Sequence, residues 1–330
     1  MLRTTWGQVD ATSMSDFSRA LTDNITSNQV ILWMLSQLGG IVPRGGKTIV
    51  EPLIIDDNAS VHWYSGYDPL DMTNNEGITS AEYAWKQLAG VAQLSGIEKA
   101  QNAGSTQLID LMDAKGKQLG LSMRRAVNQA IPSDGSADGG KALVGLLSAV
   151  ENGDTFTTYG TIDSATTTNW QNQWLDGGAY STSTNFLDGL RRIIMLCSAG
   201  TDRPHLGITT QTLYAYFLSL LEAKEQFIRV ATDEWMANAG FENIVYMGVP
   251  ITWDENMLPN TTTGSTDDAQ GLVVLNLDYA KLVIMNDYEF SFTEPQSPNN
   301  QDAESWKCLL YTNLVLSNRR RQGRVNYDTP

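Results

Sequence analysis

ITSAEYAWKQLAGVAQLS, residues 78–95, is followed by a segment in which the apolar residues are spaced differently. Tyr83, Trp85 and Val91 fall on one phase of a two-residue alternation, which predicts an extended strand. From Ser105 to the residue before Pro132, apolar residues recur at intervals of three, four and seven. This spacing predicts an amphipathic helix over about 105–131 with Ser105 as its N-cap. The stretch therefore predicts a long strand that leads into a long helix.

The segment before this stretch is also predicted to be extended. KTIVEPLIIDD, residues 47–57, and SVHWYSGY, residues 60–67, are rich in β-branched and aromatic residues, and a turn-forming segment follows them at 68–77. The pattern predicts a β-excursion over 46–95, with strands of up to about 12 residues, or roughly 40 Å. Two strands alone cannot bury both faces, so the body of the chain or a neighbouring molecule must cover them.

The rest of the chain mixes helix and strand patterns. Apolar spacing predicts helices near 184–198 and after Thr210, and strands in HLGITT, residues 205–210, and ENIVYMGVPITWD, residues 242–254. In the last third, apolar and aromatic residues alternate at Tyr288, Phe290 and Phe292, and again at Trp306, Cys308, Leu310, Leu314 and Leu316. The predicted fold class is α+β, without internal repeats.

Composition limits the classes of function. The chain has 330 residues, of which 42% are hydrophobic, enough for a sizeable core, and its net charge of −15 disfavours nucleic-acid binding. It has no signal-peptide pattern, and its longest apolar run, 30–35, is too short to cross a bilayer, so we expect a soluble protein made in a cytoplasm. Cys197 and Cys308 lie in apolar surroundings and are predicted to be buried free thiols.

Motifs for catalysis or metal binding are weak. GGIVPRGGKT, residues 39–48, approaches a phosphate-binding loop, but its spacing is off by one residue and strand-forming residues follow it. The only histidines are His62 and His205. The pairs Asp56–Asp57 and Asp267–Asp268 are predicted to lie in solvated loops, with weak calcium binding left open. We predict no enzyme activity, catalytic residue, cofactor or metal.

The ordered segments carry a more specific signal. Six segments resemble, in sequence and in order, the major capsid proteins of tailed double-stranded DNA bacteriophages. They are ITSAEYAWKQLAGVAQLSGIEKAQNAG, LIDLMDAKGKQ, ITTQTLYAYFLSLL, AGFENIVYMGVPITWDENM, LNLDYAKLVI and LVLSNRRRQG. The resemblance covers about 46–324. It implies the Hong Kong 97 type fold, with an N-arm, an E-loop hairpin, a P-domain with a long spine helix, and an A-domain.

The resemblance also assigns domains and a function. The implied domains are an N-terminal arm (1–45), the E-loop excursion (46–95), part of the P-domain with the spine helix at about 105–131 (96–198), the A-domain (199–272), and the return strands of the P-domain (273–330). The implied function is a structural one: hexamers and pentamers that assemble into an icosahedral shell around packaged double-stranded DNA, which is enclosed rather than specifically bound. We expect a virion protein that assembles in the host cytoplasm.

The implied partners are other copies of the chain, a separate scaffolding protein, a portal and a possible decoration protein, with no membrane. Covalent crosslinking through Lys86 and Asn318 is not predicted. Two alternatives stay open. One is an encapsulin-like nanocompartment shell, and the other is a carbohydrate-binding protein that stacks sugars on Trp63, Tyr64, Trp170 and Trp174.

A shell subunit must contact its neighbours, and two groups of residues are predicted to do so. The aromatic group belongs to the excursion, which needs a cover, and consists of Trp63, Tyr64, Tyr83 and Trp85. The basic group, in an otherwise acidic chain, consists of Arg319, Arg320, Arg321 and Arg324, which can pair with carboxylates of an adjacent subunit. The alternative for the arginines is a merely solvated segment.

Overall fold

The computed structural model describes residues 30–73, 76–101, 111–151, 153, 157–175, 185–222, 244–257, 270–298 and 300–327. The helices are α1 (Val30–Gln37), α2 (Gly96–Gln101), α3 (Leu111–Ala130), α4 (Phe186–Cys197) and α5 (Gln211–Glu222). The strands of the first half are β1 (Ile41–Arg44), β2 (Ile49–Ile54), β3 (Ile78–Tyr83), β4 (Lys86–Ser95), β5 (Thr158–Tyr159), β6 (Ile162–Asp163) and β7 (Gln173–Leu175). Those of the second half are β8 (Leu206–Thr209), β9 (Ile244–Tyr246), β10 (Val249–Trp253), β11 (Gln270–Leu275), β12 (Ala280–Met285), β13 (Ser291–Phe292), β14 (Ala303–Leu316) and β15 (Gly323–Tyr327). Short helical turns occur at Ala137–Gly140, Leu146–Ala149, Thr168–Trp170 and Arg319–Arg321.

A five-stranded sheet is organised around β14, a strand of 14 residues. Its first part pairs with β4 in an antiparallel register from Ala303 opposite Ser95 to Thr312 opposite Lys86, and its last part pairs with β12. β13 pairs with β14 at Leu309 and Cys308, and β1 pairs with β12. The predicted alternation of apolar residues in β14 follows from this position, because one face packs against the core.

The helix α3 covers β4 because its apolar side chains recur on one face. Leu119, Met123 and Val127 are four residues apart, and the last two are buried. Burying side chains of this size stabilises the fold by roughly 1.5–3 kcal/mol each. Gly90 of β4 allows the close approach, since a Cβ there would lie 2.6 Å from Leu119 Cδ1. Over the described residues the predicted helix is present; its predicted start at Ser105 lies outside them.

The strands β2 and β3 form a separate two-stranded hairpin, paired from Ile49 opposite Tyr83 to Ile54 opposite Ile78. Each strand has six residues rather than the roughly twelve expected. Residues 55–73, 76 and 77 between them contain no strand. β4, which the sequence groups with the excursion, pairs with β14 in the five-stranded sheet and lies against α3.

The second sheet has six strands in the order β7-β15-β11-β8-β10-β9. The helix α4 packs on it through a buried face that includes Phe186, Leu190 and Cys197, and α5 adds Leu213 and Phe217 to the same core. Thr210 accepts a hydrogen bond at its Oγ1 from the backbone N–H of Leu213, 3.4 Å away, as expected of an N-cap. The predicted helices near 184–198 and after Thr210 are therefore confirmed over the described residues.

Both cysteines are free and buried, as predicted. Burial raises the pKa of Cys197 to about 12, so its thiol is protonated and unreactive near neutral pH. Within the described ranges, no helix has the length and apolar character needed to cross a membrane.

Candidate assembly surface

The loop between β2 and β3 places apolar side chains in solvent. Every residue from Val61 to Thr73 is exposed, and the side chains of Trp63 and Tyr67 have relative exposures of 102% and 106%. Met72 and Leu70 are exposed as well. A soluble chain rarely exposes so many large apolar side chains in one segment unless the segment binds something. We call residues 61–73 the exposed loop.

Polar contacts shape the loop from within. Asp68 accepts a hydrogen bond from the backbone N–H of Ser65 at 2.9 Å, and Asp71 accepts from both the hydroxyl and the backbone N–H of Thr73. The hydroxyl and N–H of Thr73 hold the pKa of Asp71 below its usual value. These turns satisfy backbone donors locally, so the aromatic side chains are free to point outward.

The base of the loop is tied to the body. Asn169 donates its Nδ2 hydrogens to the carbonyl of Ile55 at 3.0 Å and to Asp56 Oδ1 at 2.9 Å. The backbone N–H of Ile55 donates to the carbonyl of Gly77. The loop is thus presented by a defined base rather than by a free chain.

A groove of about 850 Å³ lies between α3 and the strands β13 and β14. It is lined mainly by apolar residues and glycines, with two basic residues: Met112, Gly116, Lys117, Gly120, Leu121, Arg124, Phe290, Phe292, Thr293, Pro295 and Trp306. No described residue lies within 4 Å of a Cβ built at Gly116, and at Gly120 the nearest atom is Phe292 Cζ at 3.8 Å. A glycine inside a helix reduces its stability by about 1 kcal/mol relative to alanine, and a side chain would fit at both positions. An occupant of the groove would give them a function.

The charges of the groove and the exposed loop are opposite. The residues that line the groove include two basic ones, Lys117 and Arg124, and no acidic one. The loop and its base carry Asp56, Asp57, Asp68, Asp71 and Glu76 and no lysine or arginine. Arg124 also lies 5.7 Å from the centre of the Phe290 ring, which places a cation beside the apolar surface.

The arginine run is not the uniform basic surface that the sequence indicates. The relative exposure of Arg319 is 0%, and its Nη2 lies 3.0 Å from Glu151 Oε2 of the same chain. Arg324 is 3% exposed and donates from Nε to Asn326 Oδ1 at 2.8 Å. Burial lowers the pKa of Arg324 to about 10. Both guanidinium groups are enclosed by their own chain, so the exposure of Arg319 and Arg324 gives no support to their predicted contact with another subunit.

The other two arginines lie nearer the surface. Arg320 is exposed, and its backbone N–H donates to Asn318 Oδ1 at 3.1 Å. Arg321 is half-buried, and within the described part of the chain its Nε has no hydrogen-bond partner. These two positions keep the predicted role of subunit contacts as a proposal.

The aromatic group likewise contains both exposed and buried members. Trp63 and Tyr64 are exposed. Tyr83 is buried and donates its hydroxyl to the carbonyl of Leu316 at 2.7 Å, so its position gives no support to the predicted contact with a neighbour. Trp85 is half-buried and donates from Nε1 to the carbonyl of Gly46 at 3.0 Å. The inward members are set by pairing with distant segments, which residue type alone does not reveal.

The geometry weakens the sugar-binding alternative. Trp170 is buried and donates from Nε1 to the carbonyl of Tyr159 at 3.0 Å, so its ring has no free face for a sugar. Trp174 is half-buried.

Chemistry-bearing residues are not gathered in the described part of the chain. There, no three residues among His, Cys, Asp and Glu form a group that could hold a metal ion. His62 is exposed in the loop, and His205 lies 3.9 Å from Asp278 at the surface. The pair Asp267–Asp268 lies outside the described residues. Sequence reasoning missed the groove, although glycines spaced four apart in a predicted helix were a visible signal.

No protein-family model matches the chain, and no curated protein sequence matches it. Solved structures do match. The capsid asymmetric unit of cyanophage A-1(L) is 12% identical, with a TM-score of 0.70 over 95% of this chain and 96% of that one. The capsid of a native GTA particle is 13% identical, with a TM-score of 0.69 over 98% of both chains. The SrpI encapsulin complex from Synechococcus elongatus PCC 7942 is 11% identical, with a TM-score of 0.63 over 98% and 95%.

These matches establish the fold. The chain has the fold of phage capsid proteins, which an encapsulin also shares, over nearly its whole length. The predicted α+β fold of the Hong Kong 97 type is confirmed.

Proposed function

We propose that this chain is the major subunit of a capsid shell, assembling as hexamers and pentamers into an icosahedral particle around packaged double-stranded DNA. The observation that carries the proposal is the exposed loop: a chain with the capsid fold presents Trp63, Tyr67 and Met72 to solvent on a defined base. A closed symmetric shell supplies the same neighbour at every position, which would cover each loop. The expected setting is a virion.

The surface that receives the loop is inferred to be the groove beside α3 in the next copy. Its apolar walls suit the aromatic side chains of the loop, and Arg124 suits the carboxylates of Asp68 and Asp71. Opposite charges at such a contact raise the association rate and fix which surfaces meet. The open space over Gly116 provides room for a ring.

The first experiment is negative-stain electron microscopy with sedimentation of the recombinant chain, alone and with a candidate scaffolding protein. Closed particles, or rings of six and five subunits, are expected. A single species near the chain mass of 36.3 kDa under every condition would overturn the proposal.

Site-specific crosslinking tests the contact itself. Trp63→Cys combined with Gly120→Cys is expected to give chains linked by a bis-maleimide, since a Cβ at position 120 is accommodated. The matched control combines Trp63→Cys with Ser122→Cys, an exposed position on the same helix that does not line the groove. The native thiols are buried and contribute little background. Equal yields from both pairs would rule out the groove as the receiving surface while leaving the shell proposal intact.

An encapsulin-like compartment is the second candidate, supported by the likeness to the SrpI encapsulin complex. The two differ in content, so nucleic acid protected inside purified particles supports a capsid and enclosed protein cargo supports a compartment. The scaffolding, portal and decoration proteins implied by the capsid resemblance belong to the first candidate only, and co-purification with native particles would identify them.

A further inference from the structure

The base of the β2–β3 hairpin meets a buried polar cluster around Arg319. The guanidinium of this residue donates from Nε to the carbonyl of Ala149 at 2.9 Å and from Nη1 to Ser164 Oγ at 3.0 Å. Its Nη2 donates to Glu151 Oε2 at 3.0 Å and to the carbonyl of Ser148 at 3.4 Å. All three nitrogens are thus engaged by one segment, residues 148–164. A lysine could not supply this fixed fork of donors.

The carboxylate of Glu151 is fixed from its other side. Its Oε1 accepts from the backbone N–H of Thr157 at 2.8 Å and from the Thr157 hydroxyl. Its backbone N–H donates to Asn172 Oδ1 at 3.0 Å, and Asn172 Nδ2 donates back to the Glu151 carbonyl at 2.8 Å. Each charged partner therefore has several neighbours that set its position.

Aromatic rings connect this cluster to the hairpin. The guanidinium carbon of Arg319 lies 5.0 Å from the centre of the Tyr159 ring, and that ring meets Tyr83 of β3 edge-on at 5.3 Å. Tyr159 and Tyr83 donate their hydroxyls to the carbonyls of Leu314 and Leu316 in β14. The hairpin is therefore held against β14 through side chains of the 148–164 segment.

A backbone contact adds a second connection. The N–H of Glu82 in β3 donates to the carbonyl of Gly160 at 3.0 Å. Gly160 has a φ of +61°, and a Cβ there would lie 2.8 Å from the Tyr83 ring and hydroxyl. Only glycine both adopts this backbone conformation easily and lets the turn between β5 and β6 touch the hairpin.

We infer that Arg319 and Gly160 are positioning residues that fix the direction in which the β2–β3 hairpin leaves the body and so where the exposed loop meets its neighbour. A buried ion pair seldom adds net stability over apolar residues of similar volume, so a role in specifying geometry explains this pair better than a role in stability. The assembly part of this inference rests on the proposed shell function. Its structural part concerns the single chain.

Hydrogen exchange of the unassembled chain tests the structural part. Two variants loosen the connection in different ways: Gly160→Ala introduces a Cβ against Tyr83, and the double variant Arg319→Met with Glu151→Gln removes both charges together. The matched control is Gly200→Ala, whose φ of +60° imposes the same backbone strain with nothing within 4 Å among the described residues. Both test variants should exchange the amides of β2 and β3, including that of Glu82, on the order of tenfold faster than the control, with β12 and β14 unchanged.

The possible results separate the alternatives. Hairpin exchange equal to the control overturns the inference, and so does a uniform increase over both sheets, which would mean that the cluster only supports overall stability.

If the wild-type chain forms particles, Gly160→Ala is expected to give fewer closed ones than Gly200→Ala. If the hairpin is loosened but the yield of closed particles is unchanged, the inferred positioning of the loop for assembly is refuted, and the proposed shell function still stands. If the wild-type chain forms no particles, the shell proposal fails, and exchange in the single chain still decides the structural part.

Discussion

The exposed loop and the C-terminal segment 314–327 are both short, and both are predicted from sequence to contact other subunits. In the structure, their solvent exposure is opposite. The aromatic loop lies wholly in solvent, whereas the segment rich in arginine is mostly buried, with Arg319 at 0% exposure. Apolar residues are outside and charged residues inside, the reverse of the usual preference.

The physical reason is the set of partners within the chain. Arg319 finds a carboxylate and several carbonyls in residues 148–164, so its charge can leave water. No described segment of the chain covers Trp63 or Tyr67. This difference within the described residues is what the proposed contact of the loop with a neighbouring subunit predicts.

The largest expected effect is on folding. Arg319→Ala leaves Glu151 buried without its cation and should lower the free energy of unfolding by about 3–5 kcal/mol. Arg320→Ala, at the adjacent exposed position, should change it by less than about 0.5 kcal/mol. Urea denaturation of the two variants gives the comparison, and similar midpoints would contradict the assignment of Arg319 to the interior.

The second effect concerns assembly. Replacing residues 57–76 by a short glycine-serine linker keeps the β2–β3 pairing and the buried Ala81 and Tyr83. This variant should remain folded, with a circular dichroism spectrum and melting transition close to wild type, but should form essentially no closed particles in sedimentation. Loss of the folded monomer would instead mean that the loop belongs to the core of its own chain.

Changing a single side chain of the loop should likewise impair assembly without affecting folding, but less strongly. Trp63→Ser removes the largest aromatic side chain of the loop and should slow particle formation on the order of tenfold, since buried tryptophans often dominate an interface. The melting temperature should not move, because the side chain is exposed in the single chain. Ile97→Ser, at an exposed apolar residue in α2, serves as the control for light-scattering kinetics, and equal slowing would remove the special role of Trp63.

The smallest effect is expected at Arg320. Charge reversal by Arg320→Glu should reduce particle yield only several-fold, with a deficit that shrinks as salt screens the repulsion. Folding should be unaffected because the residue is exposed. Particle counts at low and high ionic strength measure this dependence, and a wild-type yield under both conditions would leave Arg320 merely solvated.

The sequence predicts elements better than it predicts their partners. The change of period after residue 95 is visible in the spacing of Leu119, Met123 and Val127, and the structure has helix α3 there. The apolar alternation over residues 86–95 is the same whether the strand joins a hairpin or a larger sheet. The pairing of β4 with β14 was therefore not predicted. Local patterns alone predict the class α+β, and the ordered segments that resemble capsid proteins supplied the Hong Kong 97 type within it.

Burial of the arginines was unpredictable for a related reason. Arg319 meets Glu151 across 168 positions of sequence, and no spacing rule connects them. Tyr83 likewise looks like any other aromatic residue of an alternating strand. The candidate site could therefore be predicted only where exposure follows from a lack of partners, at Trp63 and Tyr64.

The position of β14 in the sequence also affects when the protein can fold. Tyr83 bonds to Leu316, 233 positions later, and β14 is the strand to which β4, β12 and β13 all pair. A chain still being translated therefore cannot complete this sheet, or fix the base of the hairpin, until residues 303–316 have left the ribosome. Contacts so distant in sequence form slowly. Under the proposed shell function, unfinished chains lack a correctly oriented loop and are not incorporated into a growing particle.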